Sequence, residues 1–226
     1  MLSIQNLVVQ YQKTVILKQL SLQIDKGTVH GLVGLNGSGK TTLFNTLYGL
    51  LKPQQGTLSF ENQPLQTQEI SYLETQNYFY SFLTGNEYLN IFKVNNPIFD
   101  IEGWNKLFQL PLKQLIDEYS TGMKKKLAFM AILCLDKSIL LLDEPFNGLD
   151  METNQQMKMI IKQLRERGKT ILITSHIMES LTSICDVISY LKEGQIVFTA
   201  PQEEFDSIEN RIFTGKDTES LITRLL

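Results

Sequence analysis

Gly34-Leu35-Asn36-Gly37-Ser38-Gly39-Lys40-Thr41 is the stretch that decides the fold. It runs glycine, four residues, then Gly-Lys-Thr, and its flanks carry the pattern that gives such a run meaning. Thr28-Val29-His30-Gly31-Leu32-Val33 reads as a short strand, and Thr42-Leu43-Phe44-Asn45-Thr46-Leu47 opens a helical pattern. A strand, a glycine-rich turn and a helix start, in that order, cradle a polyphosphate with main-chain N–H groups. The glycines permit the dihedrals this needs, and the helix start adds unpaired N–H groups and the positive end of its dipole. In that geometry Lys40 reaches the β and γ phosphates, and the Thr41 hydroxyl completes a Mg2+ shell. Asn36, Gly37, Ser38, Gly39, Lys40, Thr41 and Thr42 are therefore the expected phosphate site. The plain alternative is a tight turn before an ordinary helix, and both flanks weigh against it. The stretch predicts a nucleoside triphosphate site.

The rest of the composition sets limits. The chain has 226 residues, which fits one domain or one domain with an inserted subdomain. Hydrophobic residues are 42% and charged residues 20%, as in ordinary folded proteins. The formal net charge of -3 provides no broad basic field, so no nucleic-acid partner is expected. Cys134 and Cys185 lie in apolar segments and read as buried thiols of a reducing compartment. Met1 to Asn6 lacks a basic segment followed by an apolar one, so no signal peptide is visible. The longest apolar run, Leu127 to Leu135, is about nine residues, far short of a bilayer span. Membrane association is expected only through a partner.

In chain order, Leu2 to Gln10 reads as a strand, and Tyr11-Gln12-Lys13-Thr14 turns it into a second, Val15-Ile16-Leu17. Leu20-Ser21-Leu22-Gln23-Ile24 alternates cleanly before the turn Asp25-Lys26-Gly27. Gly56 to Glu61 is another strand, and Ile70 to Leu73 a strand end. Thr84 and Glu87 form a capping box ahead of a helix over 85–93. Leu127 to Leu135 reads as a buried helix. Ile139-Leu140-Leu141-Leu142 and Thr170-Ile171-Leu172-Ile173-Thr174 are continuously apolar, as central parallel strands are, with helices over 151–167 and 177–184. Helical stretches follow around Gln202–Ile208 and Glu219–Leu226 in a C-terminal tail, 202–226. The expected fold is α/β, a P-loop NTPase core with a mostly parallel sheet and an N-terminal antiparallel β region. A mostly helical subdomain of about 75–135 is inserted in it.

Three further groups carry chemistry. Asp143-Glu144 ends an apolar strand, where a parallel sheet presents functional residues beside a phosphate loop. Asp143 suits Mg2+, and Glu144 suits a base that orients or deprotonates the attacking water. His176 follows the next buried strand and is placed to touch the γ-phosphate, whereas His30 lies inside a strand and reads as packed and hydrogen-bonded. Tyr119-Ser120-Thr121-Gly122-Met123-Lys124-Lys125-Lys126 presents a conflict: Ser120 and Thr121 resemble an N-cap, yet three lysines in the first turn oppose the helix dipole. Either they form a solvated basic face, or the helix start is aimed at a polyphosphate.

These residues, taken in order, resemble the nucleotide-binding domain of an ATP-binding-cassette (ABC) transporter over about residues 1–200. Gly34–Thr41 resembles the Walker A motif, Ile139–Asp143 Walker B, and Glu144 stands in the place of the catalytic glutamate. Asn147-Gly148-Leu149-Asp150 resembles the D-loop, His176 the switch histidine, and Tyr11 the aromatic ring that stacks on adenine. Ser120-Thr121-Gly122-Met123 falls where a Ser-Gly-Gly-Gln signature is expected. The resemblance implies ATP and Mg2+ as ligands and a pair of ATPase subunits, identical or different, that sandwich two ATP molecules. Ser120, the Gly122 backbone and Asp150 would then act at the sandwiched nucleotide, the first two on the partner's γ-phosphate. The glutamine loop is irregular, with Glu74-Thr75-Gln76 after Tyr72-Leu73; Gln76 is the expected metal-side contact and Glu74 and Thr75 are the alternatives. Thr121 and Met123 also depart from the signature. A single cassette of this length resembles bacterial subunits that energise a separate polytopic permease, often of the ABC-2 export type, at the cytoplasmic face of the membrane. The competing readings are a soluble ABC-type ATPase acting on nucleic acid or ribosomes, and a regulatory module that turns ATP over poorly. Tyr78-Phe79-Tyr80-Ser81-Phe82 is the densest aromatic patch, and neither helical nor strand periodicity can bury all its rings. One or two exposed rings are expected.

Overall fold

The hydrophobic patterning translates into two sheets whose edges meet around the phosphate loop. The structure, a computed structural model, describes residues 1–94 and 96–213. In chain order, β1 (Leu2–Tyr11) and β2 (Thr14–Ile24) form a hairpin, and β3 (Val29–Val33) leads into α1 (Lys40–Leu47). β4 (Gln55–Phe60), β5 (Gln63–Pro64) and β6 (Ile70–Leu73) precede three helices, α2 (Gly85–Lys93), α3 (Ile101–Phe108) and α4 (Thr121–Cys134). Then come β7 (Ile139–Asp143), α5 (Met151–Glu166), β8 (Thr170–Ser175) and α6 (Met178–Thr182). A hairpin of β9 (Val187–Lys192) and β10 (Gln195–Pro201) leads to α7 (Phe205–Phe213).

The alternating segments give a four-stranded antiparallel sheet in the order β2-β1-β4-β5. The continuously apolar ones lie in a six-stranded sheet, β10-β9-β3-β8-β7-β6, parallel except for the β9–β10 hairpin. β3, β7 and β8 are buried at every position, as strands covered on both faces must be. The strand period of two then divides each between two cores. Ile139 and Leu141 face α1 and the antiparallel sheet, while Leu140 and Leu142 face the helical side. On that side Phe129 of α4 is fully buried and meets Phe108 of α3 edge-on, ring centroids 6.2 Å apart. Truncating such a ring to alanine costs roughly 3–5 kcal/mol.

Several elements differ from the sequence reading. The alternation breaks between Leu17 and Leu20, which suggests two strands, yet β2 is continuous. A bulge at Gln19, with φ 52°, returns both leucines to the buried face. Ile70–Leu73 is a full edge strand paired in parallel with β7. The helix expected over 177–184 is the shorter Met178–Thr182. The tail begins with a 3-10 turn, Gln202–Glu204, and the helix proper runs on to Phe213. The helix expected over Glu219–Leu226 lies outside the described residues.

The turn between β9 and β10 ties the two sheets to the phosphate loop. Glu193 and Gly194 both have positive φ, 49° and 81°. The Gly194 N–H donates to the Ser38 carbonyl at 3.0 Å, and its own carbonyl accepts from the Lys18 N–H of β2, also at 3.0 Å. A Cβ at Gly194 would run into the Ile16 carbonyl, so the close approach requires glycine. His30 is packed beside this region, its Nε2 2.8 Å from the Ser189 hydroxyl, and burial pulls its pKa from 6.5 to about 4. Cys134 and Cys185 are buried free thiols, and burial pushes both pKa values up. Among the described residues no helix is long and apolar enough to cross a membrane.

Candidate functional site

β3, β8 and β7 are neighbours, so their C-terminal ends bring the phosphate loop, Ser175-His176 and Asp143-Glu144 to one edge of the sheet. Asp143 stands opposite Thr174, and Val33 opposite Ser175. Gly39 caps α1 with φ 111° and no side-chain bond, which leaves the first-turn N–H groups without a capping side chain. A Cβ on Gly39 would lie 2.8 Å from Leu17, and one on Gly34 would collide with the Leu191 carbonyl and the Ser38 hydroxyl. The loop is thus approached closely at both places, by the Leu191 carbonyl at Gly34 and by the Leu17 side chain at Gly39.

Lys40 is buried, and its Nζ donates to the carbonyls of Gly34 at 2.7 Å and Leu35 at 3.3 Å. Burial lowers its pKa against the upward pull of the Glu144 and Asp143 carboxylates. Asp143 accepts from both sides: from Thr41 Oγ1 at 2.8 Å and from Thr174 Oγ1 at 2.5 Å. The Thr174 oxygen in turn accepts the Glu144 N–H at 2.9 Å. Glu144 Oε2 lies 2.9 Å from Nδ1 of His176. Because the acceptor is a carboxylate, Nδ1 carries the proton. The five groups form one connected chain from the first turn of α1 across the ends of β7 and β8.

This chain borders a cavity of about 720 Å3, within the range that holds a ligand of nucleotide size. Tyr11, Asn36, Gly37, Gly39 and Lys40 line it, as do Thr41, Thr42, Asp143, Glu144 and His176. Ser38 turns away toward a recess of about 160 Å3, its hydroxyl buried without a hydrogen-bond partner. Gln76 does not line the main cavity, whereas Thr75 does, and Glu74 is near enough to Asp143 for that charge, after burial, to raise its pKa. Gln76, the contact expected from the sequence, is exposed one residue further along. Ser120, Gly122 and Asp150 also lie outside the cavity of their own chain. Ser120 caps α4 by accepting from the Met123 N–H at 3.2 Å, and Asp150 caps α5 by accepting from the Thr153 N–H at 2.8 Å. Gly122 packs against the Gly148 carbonyl, so the signature and the D-loop are adjacent.

The residues fit the two expected ligands. Thr41 and Asp143 offer hard oxygen donors beside a loop built for phosphates. Among the described residues no cluster of three or more His, Cys, Asp or Glu could hold a metal alone. Mg2+ bound by one or two protein oxygens, with substrate phosphates and water supplying the rest, matches that donor set. The sequence reading missed Ile16, Met178 and Tyr190 as cavity walls, and Glu209 and Ile212 of α7. It gave Asn147 to the D-loop, and this residue too lines the cavity, one short turn after Glu144.

A glycine-rich loop between strand and helix, backed by an aspartate on a nearby parallel strand, defines a P-loop nucleotide-binding protein. The ABC transporter family pattern matches residues 17–147. The chain belongs to that family, as one of its ATP-binding subunits. It is 32% identical to the ABC transporter ATP-binding protein YtrB of Bacillus subtilis over 213 residues, 90% of this chain and 73% of the relative. It is 31% identical to the lantibiotic transport ATP-binding protein SrtF of Streptococcus pyogenes over 221 residues, 93% of each chain. It is 33% identical to the bacitracin transport ATP-binding protein BcrA of Enterococcus faecalis, across 94% of this chain and 73% of the relative. Two solved structures share the fold. An ATP-binding subunit of an ABC transporter superposes with a TM-score of 0.83 at 24% identity, covering 99% of this chain and 98% of the other. A dimeric ATP-binding cassette with ADP and Pi gives 0.80 at 24% identity, covering 89% and 99%.

Proposed function

We propose that this chain is the Mg2+-dependent ATPase subunit of a membrane exporter, acting as a single ABC ATPase domain with its helical subdomain at about 75–135. The observation that carries the reading is the connected set Thr41–Asp143–Thr174–Glu144–His176 at one edge of the cavity. The N–H groups of 36–42 and the Lys40 ammonium hold the phosphates, and Tyr11 offers its ring to the base. Thr41 and Asp143 hold Mg2+, with Thr75 or Glu74 on the glutamine-loop side. The metal supplies neutralisation of charge on the β and γ phosphates. Glu144 orients the attacking water and takes its proton, and His176 fixes that carboxylate through Nδ1. Two ATPase subunits pair so that Ser120 and the Gly122 backbone of one act on the γ-phosphate held by the other, with Asp150 at the same junction. A separate polytopic permease holds the pair at the cytoplasmic face of the cell membrane and selects the cargo. Relatives named for lantibiotic and bacitracin transport support the transporter reading.

The test combines chemistry and company. Glu144→Gln should keep ATP binding and lose about 10²–10⁴-fold in phosphate release, because the amide keeps the shape and removes the base. Chelation of Mg2+ should stop the wild-type reaction. Purification from detergent-solubilised membranes should recover a stoichiometric polytopic protein. Normal turnover by Glu144→Gln, or co-purification of ribosomal proteins or RNA in place of a permease, overturns the reading.

A further inference from the structure

Among the described residues, the nucleotide chemistry leaves one buried charge unused. Lys125, in the second turn of α4, is only 4% exposed, while its neighbours Lys124 and Lys126 are half-exposed. Its Nζ donates to the main-chain carbonyl oxygen of Glu144 at 2.8 Å. Burial draws the lysine's pKa down, and the nearby Glu144 and Asp143 carboxylates draw it up. A lysine is rarely buried without a partner, and here the partner is the backbone of the residue that acts as base.

That backbone needs holding. Glu144 has φ 49°, a left-handed conformation that non-glycine residues adopt uncommonly. Three hydrogen bonds fix it. Its N–H donates to Thr174 Oγ1 at 2.9 Å, and its carbonyl accepts from Lys125 Nζ at 2.8 Å and from the Asn147 N–H at 3.3 Å. Thr174 belongs to the adjacent strand, and Asn147 to the turn that Glu144 itself begins. Lys125 alone reaches in from another layer. It rides on the helix that Ser120 caps, about one and a half turns further along.

We propose that Lys125 is a positioning residue for hydrolysis, tying the signature end of α4 to the main chain of Glu144. It keeps the Glu144 carboxylate within reach of His176 and of the water. In the paired assembly the same helix start faces the partner's nucleotide, so α4 links the ATP held by one subunit to the base of the other. The inference rests on the reading of Glu144 as the base. It also assigns one of the three lysines of the basic helix start to a contact within its own chain.

The experiment compares Lys125→Met, which keeps length and loses the donor, with Lys125→Gln, which keeps an N–H donor. Wild type and both variants are assayed with Mg-ATP for kcat, KM, ATP Kd and melting temperature. Lys125→Met should lose at least tenfold in kcat with KM and Kd within about twofold of wild type, and Lys125→Gln should retain kcat within about threefold. Turnover by Lys125→Met within twofold of wild type overturns the proposal. So does a loss in which kcat, ATP binding and melting temperature fall together and glutamine restores nothing, since that marks a structural lysine. If Lys125→Met does not fold, Lys125→Gln decides alone: kcat within threefold upholds the donor role, and a tenfold loss ends it. A wild-type protein that releases no phosphate, or a Glu144→Gln variant at full rate, sinks the assignment of Glu144 itself and is distinguishable from both.

Discussion

The phosphate end of the six-stranded sheet and the segment 74–82 lie at the ends of neighbouring strands, yet they are built in opposite ways. At the phosphate end, Asp143, Thr174, Glu144 and His176 are joined by hydrogen bonds no longer than 2.9 Å, on strands covered on both faces. In the segment after β6, Tyr78 is 77% exposed, Tyr80 59% and Phe82 82%, and only Phe79 packs inward, against Tyr88. Phe82 even takes a left-handed backbone conformation, φ 64°, with its N–H donating to Asp117. The first region is organised in advance for a small charged ligand. The second keeps large apolar rings in water, a cost that an isolated domain does not recover. Four measurements test this difference.

At the organised end, Lys40→Ala should lower phosphate release by about a thousandfold or more and weaken ATP binding, because the charge on the terminal phosphates is gone. Nucleotide titration and a phosphate assay read both, and wild-type turnover would remove the site. The next effect belongs to the core behind the loop. The His30 pKa is about 4 when folded and 6.5 when not, so between those values the unfolded chain binds a proton that the folded one refuses. Stability therefore rises with pH across that window, and is lost on acidification from 6.5 to 4, by about 3 kcal/mol in all. Urea melts at pH 7 and pH 4.5 measure it, and His30→Gln should show a flatter pH profile. An unchanged profile would place the loss elsewhere.

The open segment supplies the smaller effects. Phe82→Ala should leave the isolated subunit's melting temperature alone and weaken its association with the proposed permease by about 1–3 kcal/mol. Phe79→Ala should do the reverse, lowering the melting temperature while its effect on association follows only from that loss. Thermal melts beside co-purification separate the two. If alanine at every ring in the segment lowers the melting temperature and none selectively loses the partner, the patch is core and offers no docking surface.

How far each region was legible follows from the same difference. Lys40, Asp143, Glu144 and His176 could be read because each sits at the end of a continuously apolar strand or in a glycine-rich turn, where local pattern fixes position. The bulge at Gln19 could not, because a broken alternation reads equally as two strands or as one with an extra residue. The resemblance puts Gln76 in the glutamine-loop role by a one-residue slip, whereas it is Thr75 that the path of the chain after Leu73 brings to the cavity wall. Glu209 and Ile212 reach the cavity because α7 folds back over β9 and β10, where Tyr190 meets Phe198 and Arg211 lies over the Phe198 ring. Nothing in the sequence near either residue signals that. Among three consecutive lysines, it is the packing of α4 against the end of β7 that selects Lys125 for burial.

The β9–β10 turn has a practical consequence for anyone labelling this protein. Glu193 is exposed at the tip of a two-residue hairpin, beside the exposed Lys192 that ends β9, the sort of place usually chosen for an epitope tag or a fluorophore. Yet the next residue, Gly194, is bonded on one side to the loop that carries Lys40 and on the other to β2, with no room for a side chain. An insertion there would pry apart the joint between the two sheets and shift the phosphate loop with it. The turn between β4 and β5, where Glu61 and Asn62 are both exposed and the following strand is only two residues long, is the safer handle.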